Sequence, residues 1–193
     1  MHKVERDELL PLGAYEPIRE RFRNRVIALK QVRRIALGAN MTLVFENHDT
    51  VLLQVQEMLR TERISDERSI AHELETYNEL IPPPGSLSAT MFIEYDDPDE
   101  RRTMLEQLAG LRSEVRLRVG GREHVARFAT HHGEELGRLP SVNYLMFEVS
   151  RERAAALRDA SVPASLVATL PAYSAETPLP RALREELAAD LTD

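Results

Sequence analysis

The sequence predicts an α+β fold in which a mostly antiparallel sheet carries helices on one face and is preceded by a helical N-terminal layer. Three observations predict it. Apolar residues recur at helical spacing through residues 1–81, a Pro82-Pro83-Pro84-Gly85 run then forbids any continuing helix, and from Leu87 the apolar rhythm switches to every second residue. The expected organisation is one domain over 1–193, with a helix-rich part at 1–81, a sheet-containing part at 87–171 and a C-terminal helix within 178–193.

Residues 14–33 predict one long helix, because Tyr15, Ile18, Phe22, Val26, Leu29 and Val32 share a stripe, while Ile27 lies opposite it and suggests a second contact. Arg25 falls in the stripe and needs either an edge position or a carboxylate partner. Residues 34–37 and 41–46 predict two short strands meeting at Gly38-Ala39-Asn40. Asn47 or Asp49 then caps a helix to about Thr61, with Val51, Leu52, Val55, Met58 and Leu59 inward and Leu53 on the far side, so this helix is expected to be covered twice. Ser65 caps the next, which turns Ile70, Leu74 and Tyr77 inward.

Residues 87–95 alternate as a strand, and Asp96-Asp97-Pro98 opens a helix that Gly110 ends, acidic residues and proline being favoured in a first turn. Residues 115–119 and 124–129 flank Gly120-Gly121, which supplies the positive φ of a tight hairpin. Strands at 142–149 and 166–170 enclose an alanine-rich helix ending at Arg158. The order from Leu87 onward suggests ferredoxin-like split βαβ elements. Residues 171–180 read as an extended crossing segment, and 181–191 as a last helix with Leu183, Leu187 and Leu191 on one edge.

Composition narrows the function classes. The chain has no cysteine, which removes disulfides, thiolate metal sites and cysteine nucleophiles. No apolar run reaches the roughly 20 residues of a membrane helix, and residues 1–7 are charged rather than signal-like, so a cytoplasmic, membrane-free protein is expected. The net charge is −7, yet residues 1–34 hold nine Lys/Arg against five Asp/Glu, a basic helix on an acidic body. With few aromatics, that balance argues against nucleic acid.

No Walker loop, Gly-x-Gly-x-x-Gly turn, Gly-x-Ser-x-Gly elbow or His-Glu-x-x-His pattern is present, so no cofactor and no metal site are expected. His131-His132-Gly133-Glu134-Glu135 brings ligand types together in a loop, where adjacent histidines usually point apart. Arg116, Arg118 and Arg127 would share a sheet face, open to a phosphate or to water. The richest segment is the strand-to-helix junction, whose candidate ligand-binding residues are Glu46, Asn47, Asp49, Gln54 and Glu57. Alternation sets the Glu46 carboxylate opposite Leu43 and Phe45, near the positive end of the following helix. That place suits a ligand-orienting or cation-binding group, and equally a carboxylate that anchors the turn.

Residues 34–38, 43–47, 54–60, 77–78, 80–82 and 87–90, with the opening 3–11 and the helix 22–30, resemble the bacterial uncharacterised domain-of-unknown-function 3501 family. The resemblance spans nearly the whole chain and implies no activity, only a redox or oxidative-stress setting, since members are often encoded beside rubrerythrin-like and iron–sulfur oxidoreductase proteins. His48 stands where members more often have Arg, so no family role carries over to it. Two functions remain open. One is a non-enzymatic accessory protein that meets a redox partner, or a second copy of itself, through its basic first helix and the double-faced helix near Leu53; the other is a small-molecule enzyme or metal-binding protein built around Glu46 and Glu57.

Overall fold

The computed structural model describes residues 1–129 and 137–193. The first ten residues are laid across two later helices and held there by side-chain amides. Asn78 accepts from Val4 N at 2.8 Å and donates to its carbonyl at 3.0 Å, and Gln56 does the same for Leu10 at 2.9 and 3.0 Å. Each amide gives one backbone residue the two bonds a neighbouring strand would give.

The expected first helix is split. Pro17 has no amide hydrogen to donate, and the chain forms α1 (Leu12–Tyr15) and α2 (Arg19–Val32) on either side of it. Of the predicted stripe, Tyr15 and Val26 are buried, whereas Ile18, Val32 and the opposite-facing Ile27 stay exposed. β1 (Arg34–Ala36) and β2 (Met41–Phe45) pair antiparallel across the turn at Gly38, whose φ is +71°. α3 (His48–Thr61) is capped by Asn47, which accepts from Thr50 N at 3.0 Å while the Thr50 hydroxyl accepts from Asn47 N at 2.9 Å. α4 (Glu67–Asn78) is capped by Asp66 rather than Ser65, through a 3.0 Å bond from Ser69 N. Leu53 is buried along with Val51 and Val55, so α3 is covered on both sides.

β3 (Ser86–Ile93) leads to α5 (Pro98–Gln107), and the chain then tightens into a 3-10 stretch (Leu108–Ser113) that includes Gly110. β4 (Val115–Val119), β5 (Arg122–Val125), β6 (Arg127–Phe128) and β7 (Val142–Glu148) follow, then α6 (Arg153–Arg158), β8 (Ala164–Leu170), β9 (Tyr173–Pro178) and α7 (Arg181–Asp190). The 171–180 segment, read as a crossing, is therefore mostly an edge strand.

The class is α+β, but the strands form two antiparallel sheets, in the orders β1-β2-β3-β7-β6 and β5-β4-β8-β9. A split βαβ unit keeps the two strands joined by a helix in one sheet, whereas here β3 and β4, which flank α5, and β7 and β8, which flank α6, fall in different sheets. The cause is local. After β5, Ala126 N donates to Val115 O, and the next two residues pair instead with Leu145 and Met146 of β7, so one run of chain serves both sheets. At the other side, the Tyr173 hydroxyl of β9 donates to Leu37 O at 2.6 Å and accepts from Asn40 N at 3.1 Å, joining the second sheet to the first hairpin.

The two sheets share one core, in which Leu43, Phe45, Met91 and Phe147 meet Leu117, Leu166, Leu183 and Leu187. Against its opposite face the first sheet carries α3 and α4, whose Val51, Val55, Leu59, Ile70 and Leu74 form a second cluster that Tyr144 of β7 packs against. Helices thus lie on both faces of this sheet, not one. β3 is buried almost throughout for that reason, while β4 alternates.

Arg33 links the layers. Fully buried at the end of α2, it donates to Phe45 O at 2.8 Å and Glu46 O at 3.1 Å and pairs with Glu186 at 3.0 Å and with Asp190, both on α7.

Candidate functional site

Glu46 follows β2 directly, and Glu46 N bonds to Ser88 O at 2.9 Å, which holds the residue against β3. Alternation turns its side chain away from the main core, toward α3. There it is only 2% exposed. Thr50, in the first turn of α3, donates to Oε2 at 2.5 Å, and Thr90 of β3 donates to Oε1 at 2.6 Å. Both partners are neutral hydroxyls, and among the described residues no cation is paired with this carboxylate.

A cavity of about 290 Å³ opens beside it, lined by Glu46, Glu79, Ser88, Arg127 and Tyr144 among apolar residues such as Leu80, Phe128 and Leu145. The Ser88 hydroxyl is already committed to Leu80 O at 2.5 Å. Burial, and then the nearby Glu46 charge, push the Tyr144 phenol above its ordinary value, so it stays protonated at neutral pH. Arg127, on the short edge strand β6, reaches Glu148 at 3.3 Å across an exposed surface. The site therefore has a sheltered negative floor, a neutral phenol on its wall and both signs of charge among its lining residues.

Of the five residues singled out in the sequence, only Glu46 lines this cavity. Asn47 is committed to capping α3, and Asp49 lies 3.5 Å from Arg25, the carboxylate partner that the stripe position of Arg25 called for. Gln54 Oε1 is buried without a hydrogen-bond partner among the described residues. Glu57 faces α1 and α2, where Arg19 binds it twice, at 2.8 and 2.7 Å, and Tyr15 once at 2.7 Å. The Arg19 hydrogen bonds hold its carboxyl below the usual carboxylate range; burial opposes them and Tyr15 assists. Glu57 is thus part of a packing contact between helices, and the five residues do not gather into one cluster.

Ser88 and Thr90 were readable as the polar side of an alternating strand. Arg127 and Tyr144 join Glu46 only through the pairing of β3 with β7 and of β7 with β6, and Glu79 comes from the C-terminal end of α4. The three arginines do not converge. Arg116 and Arg118 lie on β4 among Glu114, Glu123 and Glu176, while Arg127 belongs to the other sheet. His131, His132, Glu134 and Glu135 lie outside the described residues. A separate group, His2, Glu8 and His48, brings three residues of metal-ligating type together.

No helix among the described residues is long and apolar enough to cross a membrane. No curated protein matches the chain. A crystal structure described as a novel protein of unknown function, from Burkholderia pseudomallei, is 33% identical, with a TM-score of 0.90 over 98% of this chain and 100% of that one. The family model described as a protein of unknown function (DUF3501) matches residues 3–191. The chain belongs to the DUF3501 family.

Proposed function

We propose that this protein binds a small molecule bearing a cationic group in the cavity beside Glu46. The observation that carries the reading is a buried carboxylate, without a paired cation among the described residues, at the wall of a cavity of about 290 Å³. Removing an ionised carboxylate from water costs several kcal/mol, and proteins ordinarily offset that with a cation or several donors. Two hydroxyls offset part of it. A ligand ammonium or amidinium would supply the rest, with apolar walls and the Tyr144 ring around its body.

Glu46→Gln separates this reading from a carboxylate that merely anchors the turn. The wild-type chain and the variant are screened by thermal shift against amine-bearing metabolites. A binding role predicts hits that vanish in Glu46→Gln, and a free variant as stable as wild type or more so, since an uncompensated charge is removed. An anchoring role predicts a loss of about 1–2 kcal/mol with ligand responses unchanged. That second pattern would overturn the proposal.

A second reading, an accessory protein that docks through α2, draws on Ile18, Ile27 and Val32, which are exposed on or beside a helix rich in Arg and Lys. That its partner belongs to a redox system rests on the family resemblance alone. Loss of partner capture on Ile27→Asp, with ligand responses intact, would favour it.

A further inference from the structure

We propose that His2, Glu8 and His48 bind a divalent first-row transition-metal ion, at a site separate from the Glu46 cavity. One ligand atom from each lies within 4.8 Å of the others. His48 Nε2 is 3.0 Å from Glu8 Oε1, and the rings of His2 and His48 have centroids 4.2 Å apart. Around a tetrahedral ion with bonds of about 2.0–2.1 Å, neighbouring ligand atoms stand about 3.3 Å apart. The Glu8–His48 edge already has nearly that spacing, and the exposed His2 side chain closes the third corner by rotation.

The segment that carries Glu8 is fixed against α3 and α4, with Val4 and Leu9 buried in the second cluster. Asn78 and Gln56 pin the chain on both sides of Glu8, at Val4 and Leu10, and Arg6 pairs with Glu67 at 2.7 Å. Glu8 Oε2 accepts from Glu5 N at 2.7 Å, which leaves Oε1, the oxygen nearest His48, for an ion. His48 opens α3 behind its Asn47 cap, and its other nitrogen, Nδ1, lies 3.8 Å from Asp49. At that distance the two are not hydrogen-bonded, and a small rotation of the imidazole would make Asp49 the outer partner usual for a metal-bound histidine.

A plain Glu8–His48 ion pair would explain one contact of the three. It gives no reason for a second imidazole beside the first, where two protonated rings would repel. Two imidazoles and one carboxylate suit Zn²⁺, Fe²⁺ or Co²⁺ and leave coordination positions open.

The test is calorimetric titration of ZnCl₂ into tag-free, chelator-stripped protein at neutral pH, repeated with Co²⁺ and read by its visible absorption. The expected result is one saturable equivalent per chain, weakening as pH falls below about 6.5, where imidazoles protonate. Asp49→Asn should weaken binding about 10-fold, the lower end for an outer partner, and His48→Ala or His2→Ala by more than about 100-fold. His2 is exposed, so its variant keeps the fold, which circular dichroism checks. His131→Ala/His132→Ala should bind normally. Absence of a saturable equivalent, binding indifferent to His2→Ala and His48→Ala, or binding lost in the His131/His132 variant would each overturn the proposal.

Discussion

Replacing Arg33 by methionine tests whether the buried guanidinium holds α2, the β2–α3 junction and α7 together. Methionine keeps much of the stem's bulk and removes all four polar contacts at once: Phe45 O at 2.8 Å, Glu46 O at 3.1 Å, Glu186 at 3.0 Å and Asp190. Two carbonyls and a carboxylate with only 10% of its side chain exposed are left without this partner. Breaking a buried pair from one side costs about 3–5 kcal/mol. For a chain of 150–250 residues each kcal/mol moves Tm by about 2–4 °C, so the expected fall is about 6–20 °C. Asp190→Leu alone should cost less, because Arg33 keeps Glu186 and both carbonyls. Adding Asp190→Leu to Arg33→Met should cost little more, since its partner is already gone. Urea unfolding of the four chains in the cycle measures this. A loss under about 1 kcal/mol for Arg33→Met, or strict additivity with Asp190→Leu, would refute the reasoning.

The lowered pKa of Glu57 gives a pH signature. A carboxylate whose folded pKa lies below its unfolded one contributes fully above the unfolded value and loses that contribution as pH falls through the folded value. The stability gap between wild type and Glu57→Gln should therefore be constant from pH 7 to about 5 and close below about 4.3, the unfolded value; a gap that persists at pH 2 would contradict it. In the β4–β5 hairpin, Gly120 and Gly121 have φ of +57° and +75°, so valine at either should cost about 1–2 kcal/mol or more. Asparagine at Gly121, where an added Cβ meets nothing within 4 Å, should be nearly neutral, and equal losses for Asn and Val in thermal melts would argue against the turn.

Features written in adjacent residues were legible in the sequence. Asn47 could be read as a cap because a side-chain oxygen beside an apolar period has one economical use, and Gly120-Gly121 because two consecutive positive φ angles admit few residues. Glu46 was legible for the same reason, from alternation within one strand. The second sheet was not, since it depends on Ala126 breaking a strand so that its two halves find different neighbours, and an unbroken strand has the same pattern of residues. The importance of Arg33 was hidden because its partners on α7 come from the far end of the chain. Attention fell instead on Arg25, which sits in the apolar stripe but pairs at the surface. Glu46 and Glu57 looked like one cluster because they are close in sequence, but Glu46 follows β2 and is held to β3 by Thr90, while Glu57 lies well along α3 and is taken by Arg19 and Tyr15.

The partnership between Arg33 and α7 also sets a schedule for biosynthesis. Arg33 leaves the ribosome early, while Glu186, Asp190 and the core leucines Leu183 and Leu187 are made only after both sheets have been translated. Until then the nascent chain carries a guanidinium that must remain in water and a sheet surface with its last cover missing. At about 5–20 residues per second that interval lasts about 8–30 s, long enough for a holdase to engage the exposed strands.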